Sequence, residues 1–506
     1  MATNHYDAVV CGEDLAGLIT AAILGRRGLR VLLLGHDKVP LRITAGPYVL
    51  PATPGLLPPP DSEPIERVFR ELNELPIVRR RAPAQLPGLQ LATGTARIDL
   101  GPKDGPVLSQ VEALFPEALS AFEAALSNLA LVNTRLDPIL GSDLTLPPAG
   151  FWERREVARF QGQLPRNDTD LLAPLPQQHP LRAALTAAAA LGCRFAPSDL
   201  GQAPMARAIQ RGRQGCHQMP GGIADLRGTF LEKLATVSGE VREQAAPVEL
   251  ISKRGRVTAV RLRPRDEVVG LEQLVWAAPL STLLPLLDEK TTRRVREDAV
   301  GVRPACYRYC VVLLVKAAAL GPKDGPRIVS VADPKRPLME DNAIAVTVGA
   351  PLRNDGHVPL WVECLVPAAV VQREPAYLSV VRSRLREHVG RLLPDLEQNL
   401  LAVASAHDGL APEVLRGADL ATGTYGPLPA RPMPAVLNSD LPRSLDLGAI
   451  PHRTPFKNLH VANAENLPGL GVEGDFISAW GVARLINGAV RKRMGVVRRA
   501  VLLGDA

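Results

Sequence analysis

The chain has 506 residues, 46 % of them hydrophobic, enough for a large packed core and more than one substructure. A net charge of +7 and a pI near 9.2 favour anionic partners, but the basic residues are scattered and no recognition module appears, which argues against nucleic acid. No apolar run approaches a membrane span and no basic segment leads into a signal-peptide core, so a cytoplasmic protein is expected.

Residues 8–11 are an apolar run that reads as a buried strand, and Gly12 starts a turn. A helix is expected over 15–27 with Gly28 at its C-terminal cap, followed by a second parallel strand at 31–34. This is a dinucleotide-binding βαβ pattern, whose usual form is G-x-G-x-x-G with an acidic residue near the end of the second strand. Gly12 and Gly17 occupy the outer glycine positions, but Asp14 stands at the middle one, ahead of Leu15 and Ala16, and Gly35 stands where the acid belongs. The Asp14 carboxylate is expected to cap the first N–H groups of the helix, a contribution of about 1 kcal/mol, the alternative being that it turns outward and only the steric fit changes. It would also face a bound phosphate. Two unit charges about 5 Å apart at an effective dielectric of ~20 repel by roughly 3 kcal/mol, about two decades of affinity. His36 or Asp37 could take over the ribose contact with a short shift, and Arg42 could reach a phosphate.

The chain contains 47 prolines, concentrated over 40–64, which reads as an extended crossover or linker. Further on, RGRQGCHQMPGG (211–222) places Arg211, Arg213, Cys216 and His217 just before a turn that enters the core. A helix-entry loop is the expected role, with His217 or Cys216 as a proton donor beside a substrate the functional alternative. The six cysteines are unpatterned, and Cys306 and Cys310 read as two small core residues on one strand face; no cluster has metal-ligand spacing. Leu378, Val381, Leu385, His388 and Leu392 fall on one side of an expected helix.

Near the end come a short strand at 459–462, a Gly/Pro turn at 467–474 and a helix from about 475. A glycine-rich turn feeding a helix points backbone N–H groups at whatever lies there. Glu473 and Asp475 are expected to cap that helix, and Trp480 to be a core or substrate-wall residue. Arg491, Lys492, Arg493, Arg498 and Arg499, interleaved with valine and leucine, make a short basic amphipathic helix for membrane-surface contact or, alternatively, a solvated helix end.

Taken in this order, the segments resemble the flavin-dependent oxidoreductase superfamily that includes phytoene desaturases, retinol saturases and amine oxidases. The likeness is carried by residues 6–37, by MPGGIADLRGTFLEKL (219–234), by the strand and hairpin of GEVREQAAPVELISKRGRVTAVRLRP, by LEQLVWAAPLSTLLPLL, and by VANAENLPGLGVEG near the C-terminus. It implies an α/β fold: a three-layer ββα Rossmann domain of the FAD type from residues 1–65, 215–290 and 450–495, a mixed α+β substrate domain from 66–214 and 291–449, and a basic tail at 496–506. It implies FAD as cofactor. The ADP half would lie on Gly12, Asp14, Leu15, Ala16 and Gly17, its ribose at Gly35 and His36, its adenine end at Val248, and the flavin and ribityl chain against Pro468, Gly469, Leu470, Gly471 and Val472. The departures are Asp14, Gly35, a missing G-G-R-x-R stretch, and Asn463-Ala464 in place of Gly-Asp, where Glu465 is a possible substitute. Two functions follow: hydride transfer between a lipophilic substrate and FAD, or a flavin-free fold that binds or scaffolds an apolar ligand or partner. No catalytic residue is assigned.

Overall fold

The computed structural model describes residues 4–503 apart from 13, 36–41, 46, 95, 166–168, 238, 288, 353–355, 375 and 416–429, with side chains described to residue 489 except those of 289–292. His36, Asp37 and the basic side chains beyond residue 489 lie outside the described residues.

From the N-terminus, β1 (Asn4–Cys11), helix α1 (Leu15–Arg26) and β2 (Val31–Leu34) form the expected unit, the first strand starting earlier than its apolar run. Two strands then pair as a hairpin, β3 (Arg42–Ala45) with β4 (Tyr48–Pro51). A short strand, β5 (Leu56–Leu57), reaches forward to pair with a later one. Of the expected crossover or linker, the described part therefore includes a hairpin and a strand held by backbone hydrogen bonds. Next come β6 (Leu89–Thr93) and β7 (Ala96–Leu100), and then β8 (His217–Gln218), the partner of β5. The strand β9 (Glu240–Arg242), followed by the antiparallel meander β10 (Ala246–Lys253), β11 (Arg256–Arg263) and β12 (Glu267–Trp276), matches the expected strand and hairpin.

β12, β1, β2 and β9 lie side by side in parallel, and a last strand, Leu459–Val461, adds in parallel to the C-terminal end of β12 (Leu274–Trp276). β10 and β11 extend β12 as an antiparallel flap. Parallel strands need both faces covered, and β2 is VLLL with every side chain buried. Helix α1 is buried from Leu15 to Gly25, so an apolar surface all round it is what its position requires. It packs between the sheet, the helix Gly222–Thr236 and the C-terminal helix Gly471–Leu503. Strand order thus brings the two chain ends together over one sheet.

The second sheet has nine strands and is mostly antiparallel. Its centre is β13 (Val302–Lys316), flanked by β16 (His357–Pro367) on one side and β17 (Leu400–Ala404) and β19 (Ala435–Ser439) on the other. Beyond β16 come β15 (Ala343–Val348), β14 (Arg327–Val331), then β6 and β7; β18 (Glu413–Val414) closes the other edge. Cys306 and Cys310 are buried core residues of β13, as expected. The helix Tyr377–Leu392 buries Leu378, Val381, Leu385, His388 and Leu392. The last strand, Leu459–Val461, is here β20.

Candidate functional site

The outer glycines of the N-terminal motif are fixed by packing. A Cβ on Gly12 (φ +124°) would fall 2.1 Å from the Ala277 carbonyl oxygen, and one on Gly17 would fall 2.0 Å from the Ala277 Cβ. Both therefore serve the close approach of α1 to the segment leaving β12. The middle position does not, and it is the one that has changed.

Asp14 does not cap α1. Its backbone is extended (φ −63°, ψ 140°) and its side chain makes no bond to the first turn. Instead Oδ2 accepts a hydrogen bond from the Ala464 N–H at 3.0 Å. The expected cap is corrected to a tie between the first βα turn and the C-terminal segment. That leaves the first N–H groups of α1, which have no intrahelical partner, uncapped by this side chain. Burial pushes the Asp14 carboxyl up to about 6, opposed by the Ala464 N–H and reinforced by Asp475.

Glu465 does not substitute for the missing carboxylate either. Its Oε2 accepts from the Leu280 N–H at 2.8 Å and from Asn463 Nδ2 at 3.0 Å. Asn463 also donates to the Ala278 carbonyl at 2.7 Å, so the Asn463-Ala464-Glu465 segment is folded onto the loop after β12. Burial raises the Glu465 carboxyl to about 7, with Asp14 adding to the shift. Gly35 has φ +69° and donates its N–H to the Arg242 carbonyl at 3.1 Å. An acidic residue there would be strained, so the ribose acid is excluded by backbone conformation as well as by identity. Val248 lies at the β-bulge between Pro247 and Glu249, half-buried. Arg42 sits 3.9 Å from Asp225.

The C-terminal turn is tighter than expected. Pro468–Leu470 forms one 3₁₀ turn that passes straight into the helix beginning at Gly471, whose φ of +55° permits the junction. Two arginines, Arg194 half-buried and Arg207 buried, neither legible in the sequence as a site residue, hold this helix start. Arg194 donates its N–H to the Pro468 carbonyl at 2.7 Å and makes a bidentate pair with Asp475, both contacts 2.7 Å. Arg207, from the helix Gln202–Gln214, makes a bidentate pair with Glu473, again 2.7 Å each, and also reaches Asn133 and Asp137. Glu473 and Asp475 are thus ion-paired to the substrate-side insertions, not simple caps. Trp480 is half-buried, carries Arg27 and Arg67 at 5.1 and 5.0 Å from its ring centroid, and donates to Asp143.

Between the C-terminal turn and the second sheet lies a cavity of ≈ 330 Å³. Its wall includes Gly469, Leu470, Gly471, Val472 and Glu473, the strap around Leu56 and Leu57, the Cys216-His217 segment, and Arg308, Arg327 and Glu363 of the second sheet. His217 Nδ1 lies 2.9 Å from the Ala82 carbonyl. A carbonyl only accepts, so Nδ1 donates, and in the neutral tautomer that this contact selects Nε2 would carry the lone pair. That Nε2 would lie 3.3 Å from a Cβ on Gly215, itself a wall residue. Cys216 is an unreactive thiol, pushed up to about 11 by burial. Among the described residues no cluster of histidine, cysteine and carboxylate side chains could hold a metal.

The structure therefore brings Gly12, Asp14, Leu15, Ala16 and Gly17 to the C-terminal segment through Ala464, and sets Gly469, Leu470, Gly471 and Val472 on the cavity wall. The residues present fit a flavin nucleotide at two places. The uncapped first turn of α1 suits a phosphate, and the cavity beside the C-terminal turn suits a flat apolar ring. At the first of these places the Asp14 carboxylate, held by the Ala464 N–H, opposes a diphosphate and weakens the fit.

No family model matches the sequence, and no curated protein does. Solved structures do match over nearly the whole chain. An oxidoreductase from Methanosarcina mazei is similar with a TM-score of 0.59 and 13 % identity, covering 94 % of this chain and 99 % of its own. Putrescine oxidase bound to putrescine gives a TM-score of 0.58 at 14 % identity, covering 96 % and 99 %. Cyclohexylamine oxidase from Brevibacterium oxydans gives 0.54 at 13 % identity, covering 96 % and 99 %.

Proposed function

We propose that this chain, which has the fold of FAD-dependent amine oxidases and related oxidoreductases, is itself a flavin-dependent oxidoreductase acting on a lipophilic substrate. The observation that carries the reading is the cavity enclosed jointly by the C-terminal turn and the second sheet. Ligand sites of this kind form where two substructures meet.

In this reading the first turn of α1 holds the diphosphate, Val248 meets the adenine end, and the turn from Pro468 to Val472 supports the ring system. Bound there, FAD supplies the redox chemistry by exchanging a hydride with a substrate carbon. The chain's own part is to exclude water, orient the substrate and manage a proton. Leu56, Leu57, Leu89, Leu191 and Leu470 make the wall apolar. The Nε2 lone pair of His217 is placed to accept a proton from the substrate. The strap from Thr53 to Pro59 lines the cavity and is tied to the β8 segment by the Leu57–His217 pairing.

A second reading, a flavin-free protein that binds an apolar ligand, is favoured by the Asp14–Ala464 bond, which puts a carboxylate where a diphosphate would lie. Incubating the purified chain with FAD, removing the excess and releasing bound flavin by denaturation separates the two. About one flavin per chain supports the oxidoreductase; none leaves the binding protein. Among the described residues no helix is long and apolar enough to cross a membrane. Membrane-surface contact by the basic end of the last helix is a proposal supported by its sequence alone.

A further inference from the structure

One wall of the cavity carries more positive charge than the chain neutralises. Glu363 of β16 lies 3.8 Å from Arg308 and 3.3 Å from Arg327, and is only 4 % exposed. Neither guanidinium has a second carboxylate within ion-pairing distance among the described residues. Arg308 donates from Nη1 to the Leu191 carbonyl at 2.5 Å and from Nη2 to the Cys193 carbonyl at 2.7 Å. Arg327 commits Nη1 to Thr347 Oγ1 at 2.9 Å and to Glu363. Its Nε and Nη2 make no hydrogen bond to a described residue. Elsewhere on the wall Arg207 is saturated by Glu473, Asn133 and Asp137, while Nε of Arg211 is buried without an acceptor.

A largely buried guanidinium without its own counter-ion is costly, and the cost is relieved when an anion enters. The planar fork of arginine matches a carboxylate through two parallel hydrogen bonds. The surplus is a single positive charge, which a monoanion neutralises and a phosphate dianion would overshoot. The rest of the wall is leucine-rich. We propose that the cavity takes an organic carboxylate with an apolar body, its carboxylate held by Nε and Nη2 of Arg327. The inference deepens the proposed oxidoreductase function by naming its substrate class, and rests on that reading only in calling the anion a substrate.

The test is calorimetric titration of the full chain, with and without added FAD, using octanoate, octanol and octyl phosphate as probes. Octanoate is expected to bind at one site about tenfold or more tightly than octanol, and more tightly than octyl phosphate. Arg327→Gln should lose about tenfold for octanoate and leave octanol unchanged, because Glu363 keeps Arg308 as its partner. Arg327→Lys, which retains the charge without the fork, should lose less. Equal binding of octanoate and octanol by the unaltered chain, or octanoate affinity unchanged in Arg327→Gln, overturns the proposal. So does a preference for octyl phosphate. If Arg327→Gln does not fold, undiminished octanoate affinity in Arg327→Lys overturns it. Octanoate binding without FAD uptake leaves this site standing and removes the flavin reading; FAD uptake with no octanoate preference does the reverse.

Discussion

Asp14 and Ala464, 450 positions apart in the chain, are joined by a 3.0 Å hydrogen bond from the Ala464 N–H to the Asp14 carboxylate. The bond closes the first βα turn onto the segment that precedes the C-terminal helix. It also sets a negative charge at the mouth of a helix whose own dipole favours anions, so the chain stabilises the junction of its two end segments at the expense of a diphosphate.

Stability should fall as pH rises through the weakly acidic range. Burial holds the Asp14 carboxyl at about 6 and the Glu465 carboxyl at about 7, so the folded chain keeps protons that the unfolded chain has released. Where the folded state binds more protons, stability decreases with increasing pH, here from about pH 4 to about pH 7, and levels off above. Thermal unfolding midpoints of Asp14→Asn/Glu465→Gln, set against the unaltered chain across that window, should show a flatter decline. Parallel curves would mean that these two groups are not the cause.

The buried pair at the start of the C-terminal helix is expected to be strongly coupled to folding. Arg207 and Glu473 are each 2 % exposed. Replacing Arg207 with methionine leaves the Glu473 carboxylate buried beside Arg211 alone and should cost about 3–5 kcal/mol in denaturant unfolding. A loss below about 1 kcal/mol, the range of surface pairs, would show that the pair is solvated.

Gly17→Ala separates packing from cofactor binding. The added methyl would meet the Ala277 Cβ at 2.0 Å, so stability should drop by about 1–3 kcal/mol whether or not FAD is present. A variant as stable as the parent but defective only in flavin uptake would place the role of Gly17 in the cofactor.

His217→Gln tests the proton acceptor. With a substrate in hand, turnover should fall by about 10²–10⁴ while flavin content stays unchanged, and the loss should be confined to kcat with KM little changed. Undiminished kcat would place the base elsewhere.

The fold was legible because its signals are local. The apolar runs of β1 and β2, the periodicity of α1, and the Gly/Pro turn before the last helix each report on a few neighbouring residues, and their order points to a single architecture. The site was legible only in part. Asp14 was identifiable as the altered glycine, but the direction of its side chain depends on Ala464, which no local rule connects to it. Glu473 and Asp475 look like helix caps in sequence, since acids suit a helix N-terminus; their partners, Arg194 and Arg207, come from a distant insertion. Arg308, Arg327 and Glu363 carry no motif at all. They become a site only when antiparallel pairing of β13 with β16, and of β16 with β15 and β14, sets them on one cavity wall.

The decisive measurement is an equilibrium FAD titration of the unaltered chain and Asp14→Gly in parallel, near neutral pH. Weak saturable binding by the former, tightened about tenfold to a hundredfold by the substitution, is expected if a nucleotide crevice survives beneath the carboxylate. No saturable binding by either protein would mean that the two chain ends no longer enclose a flavin site.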